Sequence, residues 1–227
     1  MTSIVETTHE SLRVKICGLT NFADAECATS HGAWALGFIL TPKSPRHIKA
    51  ERVGEIVREL KAKYMQDRDF FPKIVGVFLN QDPDWVLECA SKVPLDLVQL
   101  HGDELPSEFK NSQPLVKVVH LNSEADISDC LSKKTYYEPV QYLLVDQRVG
   151  ETRGGTGQIA NWQLAAKLKS STDKKLVLAG GLKPSNIKKA FDEVAPYACD
   201  LSSGVEDSPG IKSHEKIIDL FRQLRKN

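Results

Sequence analysis

Two residues with acid–base chemistry stand at the ends of short apolar runs. Cys17 ends the run Arg13-Val-Lys-Ile-Cys17, and Asp146 ends the run Tyr142-Leu-Leu-Val-Asp146. A thiolate is a potential base, and a carboxyl whose pKa is held up by burial is a potential acid. Each residue also has a structural interpretation, since a buried cysteine fills core space and an aspartate can cap a loop. The pair suits general acid–base catalysis if both side chains reach one site.

Further polar residues follow the same pattern at the ends of apolar runs. Lys15 lies on the same side of its run as Cys17, and the basic segment Thr41–Arg46 follows the next run. A lysine beside a cysteine favours the thiolate, and an arginine can bind an anion. Each of these residues also has a structural interpretation. Arg46 can be a solvent-exposed surface charge, and His101 can simply complete a hydrogen bond. The residues expected to contact a substrate are Arg46, Gln99, His101 and Asp200.

Two glycine-bearing turns near the end of the chain predict an anion site. They lie within Leu176–Asn186 and Ala198–Glu206, and each begins as an apolar run. Backbone amides at such turns can converge on an anion because no side chain blocks its approach. A pair of turns after the last two strands is typical of the phosphate site of a (β/α)8 barrel. Ordinary tight turns are the alternative. The predicted phosphate-binding residues are Gly180, Gly181, Ser202, Ser203 and Gly204.

Apolar runs alternate with amphipathic segments along the whole chain. The runs predict strands over 13–17, 34–39, 74–79, 97–101, 115–119 and 142–146 and in the two glycine-bearing stretches. Between them, the expected helix starts are Thr20 or Asn21, Asp82-Pro83, Asp103, Ser123, Asn161-Trp162 and Pro184–Asn186, with further helices through Val53–Leu60 and Ile217–Leu224. Side-chain caps and a proline in the first turn mark such starts.

This alternation predicts one domain, a single (β/α)8 barrel in which the chemistry sits at the carboxyl ends of the strands. The alternative is a doubly wound open sheet, which usually carries G-x-G-x-x-G after its first strand. The sequence Cys17-Gly-Leu-Thr20 lacks that form, which favours the barrel. Residues 1–11 are polar and predict a flexible extension.

Composition restricts the classes of partner. The 227 residues include 30 basic and 30 acidic side chains, so no overall charge attracts nucleic acid or an anionic membrane. Five cysteines without paired spacing fit neither a disulfide framework nor a metal site, and they predict reduced thiols in the cytoplasm. No apolar segment is long enough to span a bilayer. The sequence shows no obvious exposed apolar patch, and we expect a monomer.

Seven motifs in order resemble those of the phosphoribosylanthranilate isomerase family of tryptophan biosynthesis, over nearly the whole chain. They are Lys15–Thr20, Pro42–Arg46, Val75–Phe78, Val98–Gly102, Gly154–Gly157, Leu178–Leu182 and Asp200–Glu206. The resemblance implies an Amadori rearrangement of a small sugar phosphate, N-(5-phosphoribosyl)anthranilate, without a metal or organic cofactor. Asn161 and Gln147-Arg148 depart from the family pattern, and they affect only loop details.

The resemblance also implies roles for individual residues. Cys17 matches the general base and Asp146 the general acid, while Arg46 matches the arginine that binds the anthranilate moiety. Asp200 matches an acidic residue lining the site. Independently of the resemblance, a Cys17 base requires a thiolate that is favoured near neutral pH, and either Lys15 or the cationic character of the site could lower the thiol pKa. The loop expected to close over the substrate contains Gly154, Gly155, Thr156 and Gly157.

Three other functions compete with this interpretation. A histidine-pathway isomerase performs the same rearrangement, but it carries a phosphate turn in each half, and the first half of this chain offers none. Indole-glycerol-phosphate synthase resembles the chain less at the rim. A catalytically silent barrel that only binds a sugar phosphate would tend to lose the acid–base pair, and this chain retains both residues.

Overall fold

The protein folds as a closed barrel of eight parallel strands. The computed structural model describes residues 12–64, 71–109, 112–146, 148–149, 152–153 and 161–225. The described strands are β1 (Arg13–Cys17), β2 (Ala35–Ile39), β3 (Lys73–Phe78), β4 (Leu97–Leu100), β5 (Leu115–His120), β6 (Val140–Asp146), β7 (Arg148–Val149), β8 (Thr152–Arg153), β9 (Lys175–Leu178), β10 (Ala198–Leu201), β11 (Glu206–Ser208) and β12 (Ile211–Lys212). The barrel order is β1-β10-β9-β6-β5-β4-β3-β2, which confirms the predicted fold.

Helices connect most of the barrel strands, and their starts follow the expected capping chemistry. The described helices are α1 (Phe22–His31), α2 (Ala50–Tyr64), α3 (Pro83–Lys92), α4 (Glu124–Ser132), α5 (Lys134–Tyr137), α6 (Trp162–Ser170), α7 (Ile187–Val194) and α8 (His214–Arg225). Asn21, and not Thr20, caps α1 by accepting a hydrogen bond from the Asp24 amide. Asp82 caps α3 with Pro83 at its first position, and Ser123 and Asp126 form a capping box on α4.

Strand alternation separates two apolar layers. The larger core cluster lies between the barrel and the helices and includes Val14 and Ile16 of β1. A smaller cluster fills the barrel interior and includes Cys17, the next residue along that strand. Because side chains of a strand alternate between faces, Lys15 and Cys17 point into the barrel together. The same alternation on β10 directs Asp200 inward.

The segment between β4 and β5 corrects one prediction, because Asp103 does not begin an α-helix. Its backbone amide donates to Asn80 Oδ1, and the described residues there contain only a 3-10 turn, Pro106–Phe109. The outer face of β5 carries Lys117, whose ammonium lies 3.3 Å from a carboxylate oxygen of Glu104. The same ammonium donates to the backbone oxygen of Gly102, so Lys117 holds the loop after β4 in its non-helical path.

Two short antiparallel hairpins were not predicted from the sequence. One pairs β7 with β8, and the other pairs β11 with β12 directly after the second glycine-bearing turn. The predicted closing loop at 154–157 and the N-terminal residues 1–11 lie outside the described residues. Among the helices that the structure describes, none is long and apolar enough to cross a membrane.

Candidate active site

The carboxyl ends of the parallel strands gather the predicted site residues at one rim of the barrel. Cys17 is the last residue of β1, Asp146 the last of β6, and His101 follows β4 directly. Asp200 lies on β10 opposite Lys15 of β1. Because all these strands run in the same direction, residues far apart in the sequence reach the same end of the barrel.

Lys15 connects Asp200 with Cys17 inside the barrel. Its ammonium nitrogen lies 2.8 Å from Asp200 Oδ2, and both side chains are almost fully buried. The same ammonium favours the thiolate form of the neighbouring Cys17 side chain and lowers its pKa. The second carboxylate oxygen of Asp200 is buried without a hydrogen-bond partner among the described residues. A buried carboxylate oxygen in that state is available to a bound polar molecule.

The electrostatics of Cys17 correct a second prediction. Burial raises the pKa of the Cys17 thiol, and the nearby Lys15 ammonium lowers it without compensating fully. The Asp200 carboxylate raises the thiol pKa further. Lys15 therefore has the expected effect in direction, but the net pKa of Cys17 stays above its ordinary value because desolvation of the thiolate costs more.

Gly37 makes room for this group of side chains. It lies opposite Cys17 in the pairing of β1 and β2. A Cβ atom at Gly37 would approach within 2.8 Å of Cys17 Sγ and 3.1 Å of Lys15 Cε. Only glycine therefore leaves the thiol and the lysine stem in their present positions.

Asp146 lies beside two histidines across the barrel. Its Oδ2 is 3.6 Å from Nε2 of His101, and its backbone oxygen is 3.0 Å from Nδ1 of His120. Gln99 Nε2 lies 3.4 Å from His101 Nδ1, so the predicted residues Gln99, His101 and Asp146 come together. His120 was missed in the sequence, although its place at the end of an apolar run is the same signal that marked Asp146.

Arg46 reaches the rim from the loop after β2, where it meets two residues that the sequence analysis missed. Its guanidinium pairs with the Glu206 carboxylate at 2.7 Å, and Lys212 pairs with the same carboxylate at 2.7 Å. Burial favours the neutral form of Glu206, yet hydrogen bonds from both cations hold its pKa below the ordinary value. Burial also lowers the pKa of Lys212. The network thus holds two cations and one carboxylate.

The two glycine-bearing turns are in direct contact. Gly180 and Gly181 have φ values of 81° and 65°, which strongly favour glycine. Asn186 closes this first turn by donating to Gly181 O and accepting from the Lys183 amide. A Cβ atom at Gly204 of the second turn would lie 1.9 Å from Leu182 O. The small residues therefore allow the backbones of the two turns to touch.

Comparison with known proteins gives one consistent result. The family described as N-(5'phosphoribosyl)anthranilate (PRA) isomerase matches residues 14–223. The N-(5'-phosphoribosyl)anthranilate isomerase of Syntrophus aciditrophicus is 38% identical over 217 residues, which cover 94% of this chain and 87% of the relative.

Solved structures agree with this result. The phosphoribosyl anthranilate isomerase of Thermotoga maritima has a TM-score of 0.80 at 35% identity, covering 95% of this chain and 100% of that one. A second such structure contains reduced 1-(o-carboxyphenylamino)-1-deoxyribulose 5-phosphate, with a TM-score of 0.76 at 33% identity and cover of 95% and 100%. This chain therefore belongs to the N-(5'-phosphoribosyl)anthranilate isomerase family of enzymes.

Proposed function

We propose that the protein catalyses the Amadori rearrangement of N-(5'-phosphoribosyl)anthranilate to 1-(2-carboxyphenylamino)-1-deoxyribulose 5-phosphate in tryptophan biosynthesis. Family membership and the reduced-product complex of a relative support this reaction. The observation that carries the residue assignments is the convergence of Cys17, Asp146 and Arg46 at one rim, next to the paired glycine turns. The substrate has an anion at each end, and such a rim offers cations and exposed amides for both.

Asp146 acts as the general acid in the first step. Its carboxyl gives a proton to the ring oxygen while the bond from that oxygen to C1′ breaks. The nitrogen lone pair forms the C1′=N bond, and the product is an open-chain iminium ion. The side chain of Asp146 is about nine-tenths buried, with His101 within 3.6 Å. This low exposure limits competition from water for the proton.

Cys17 acts as the general base in the second step. Its thiolate takes the proton from C2′, and the C–H electron pair moves toward the iminium carbon to give an enol-amine. The enol then loses its hydroxyl proton as C1′ gains one, which leaves a ketone at C2′ and a methylene at C1′. C2′ is oxidised and C1′ is reduced, so the reaction needs no external oxidant.

The position of Lys15 supports the thiolate as the reactive form. Because the pKa of the Cys17 thiol is raised by burial, the thiolate is a minor form near neutral pH. A base with a raised pKa removes a carbon-bound proton more readily once it is ionised. The ammonium of Lys15 favours the thiolate and provides the counter-charge in that state.

The two ends of the substrate are assigned to separate groups. Arg46 binds the anthranilate carboxylate, and the amides of Gly180, Gly181, Ser203 and Gly204 bind the phosphate together with Ser202. Gln99, His101 and Asp200 contact the sugar, and Asp200 offers its free carboxylate oxygen. Closure of the loop at 154–157, a monomeric state and a cytoplasmic location stay predictions.

The direct test is conversion of freshly prepared phosphoribosylanthranilate by the purified protein. Chromatography separates the ketose product from anthranilate, which the substrate releases on spontaneous hydrolysis. We expect the product to appear at a rate proportional to protein concentration, without added metal or cofactor. Release of anthranilate alone, by a protein whose circular dichroism shows that it is folded, would refute the proposed activity.

A further inference from the structure

A buried charged network joins the two loops that receive opposite ends of the substrate. Arg46 lies on the loop after β2, and Glu206 and Lys212 lie on the two strands of the β11–β12 hairpin. The side chains of Arg46, Glu206 and Lys212 are only 11%, 4% and 0% exposed. Charges this deeply buried need specific partners, so the geometry of the network constrains each member.

Glu206 occupies one defined edge of the Arg46 guanidinium. Nε of Arg46 lies 2.9 Å from Oε1, and Nη2 lies 2.7 Å from Oε2. A guanidinium carries five N–H donors in a rigid plane, and two carboxylates can share it along different edges. The bidentate contact with Glu206 uses the Nε–Nη2 edge. The edge formed by Nη1 and the second hydrogen of Nη2 is left for another anion.

Lys212 connects the same carboxylate to the second glycine-bearing turn. Its ammonium lies 2.7 Å from Glu206 Oε1 and 3.3 Å from the backbone oxygen of Ser202. The amide of Gly210 also donates to Glu206 Oε1, at 3.3 Å. Glu206 is thus held from two sides while it holds Arg46. A shift of the Glu206 carboxylate would therefore move its partner Arg46 and, through Lys212, the turn at Ser202.

The stem of Arg46 crosses the β1 loop on its way to Glu206. A Cβ atom at Gly18 would lie 2.7 Å from Arg46 Cδ and 3.1 Å from Ser202 Oγ. The arginine therefore packs in a narrow gap between the loop that follows Cys17 and the turn at Ser202. Such packing fixes the stem, but the plane of the guanidinium still depends on its hydrogen bonds.

We propose that Glu206 is the positioning residue for Arg46. It fixes the orientation of the guanidinium so that the remaining edge binds the substrate carboxylate while the phosphate occupies the glycine-bearing turns. This inference rests on the proposed function, which provides a substrate with a carboxylate at one end and a phosphate at the other. A preoriented arginine binds without first losing rotational freedom, and it places the aromatic end at a set distance from the phosphate. Without Glu206 the arginine keeps its charge but loses its orientation.

The test compares two ligands on the wild-type protein and on Glu206→Gln. One ligand is the reduced product found in the related structure, and the other is its counterpart without the carboxylate. We expect Glu206→Gln to weaken binding of the first ligand by about tenfold or more, and of the second by about threefold or less. Only the first ligand has a carboxylate that binds the free edge of the Arg46 guanidinium. The matched control is Asp207→Asn, an exposed neighbour on the same strand that pairs with Lys216, and it should change neither affinity.

A double-mutant comparison separates positioning from support of the hairpin. In an Arg46→Ala background, Glu206→Gln should have almost no further effect on the affinity ratio of the two ligands. An undiminished effect in that background, or equal losses for both ligands, would show that Glu206 only stabilises the hairpin and would overturn the proposal. Glu206→Gln/Lys212→Met removes both members of the second ion pair. If Glu206→Gln alone fails to fold, this double variant must still lose the preference for the carboxylate.

The wild type distinguishes this inference from the proposed function. A wild-type protein that binds neither ligand would refute both proposals. A wild-type protein that prefers the ligand with the carboxylate, together with a Glu206→Gln variant that keeps the full preference, would refute the positioning role alone.

Discussion

The two ends of the barrel solve different physical problems with the same strands. At the amino-terminal end, Trp34, Tyr142 and Tyr197 pack with ring centroids 5.7–6.1 Å apart. The cationic groups of Arg13 and Lys175 lie over the Tyr197 ring at 4.4 Å and 4.9 Å. These cations cover aromatic faces, where they contribute attraction without the cost of full burial. This end is therefore a plug that closes the barrel.

The carboxyl end places charges inside the protein instead. Lys15 and Asp200 form one buried pair, and Arg46, Glu206 and Lys212 form a second network. Replacing such pairs with apolar residues often leaves stability unchanged or improved, so their presence here is weak evidence for a stabilising role. Buried oxygens of Asp200, Ser202 and Gln99 also have no hydrogen-bond partner among the described residues. The comparison teaches that the carboxyl end carries buried charges and oxygens whose cost a bound ligand can offset, whereas the amino-terminal end places its cations over aromatic rings.

The strongest test of this contrast removes the acid and the base. Cys17→Ala and Asp146→Asn should each lower kcat by about 10²-fold or more, because general acid–base steps contribute about 10²–10⁴-fold. Each variant should keep the circular dichroism spectrum of the wild type. Tyr197→Phe is the control from the opposite end, and its kcat should be unchanged. Near-normal turnover in a folded Cys17 or Asp146 variant would remove that residue from the mechanism.

A smaller effect is expected where the phosphate binds. Gly181→Val should raise KM by about tenfold, because the added side chain obstructs the amides and a β-branched residue disfavours positive φ. Ser203→Ala keeps its amide and should change KM little. Inorganic phosphate should compete with substrate in the wild type and only weakly in the Gly181 variant. An essential Ser203 beside a dispensable Gly181 would instead assign phosphate binding to side chains.

The sequence predicted the barrel better than it predicted the details of its carboxyl-terminal rim. Buried parallel strands are continuous apolar runs, and Cys17 and Asp146 could be located because each ends such a run. The barrel order confirms the predicted fold. The β11–β12 hairpin left no comparable signal, because its polar residues show no alternation. Glu206 depends on an arginine 160 positions away, and a single sequence does not reveal that contact.

The two corrected predictions have one physical cause, which is contacts with distant residues that local sequence does not report. Asp103 has the right residue type for a helix cap, but its amide donates to Asn80 and the loop that follows is held by Lys117 through Glu104. Lys15 stands at the right spacing to activate Cys17, yet the thiol is buried deeply enough for desolvation to dominate its pKa. In both cases the local pattern predicts one outcome and the tertiary environment produces another.

Removing the Lys15 charge should produce a shift in pH dependence. If the thiolate is the active form, kcat/KM rises as the pH passes the pKa of Cys17. The Lys15 ammonium lowers that pKa, so Lys15→Met should move the rising limb to higher pH and reduce kcat/KM at neutral pH by several-fold. In Lys15→Met/Asp200→Asn the limb should move part of the way back, because the Asp200 carboxylate raises the thiol pKa. An unchanged limb in both variants would exclude Cys17 as the titrating group.

The smallest effect is expected at the aromatic plug, where removing a charge should change only the free energy of unfolding and not the activity. The Lys175 ammonium lies 5.5 Å from the Tyr142 ring centroid and 4.9 Å from that of Tyr197, and the side chain is exposed. Lys175→Met should lower the free energy of unfolding by about 0.5–1 kcal/mol, since exposed cation–π contacts have this magnitude. Urea denaturation measures the loss, with Lys169→Met, another exposed lysine, as the control. The kcat/KM of Lys175→Met should equal that of the wild type. A change in KM would show that the plug and the rim are coupled through the barrel interior, and the division between the two ends would then fail.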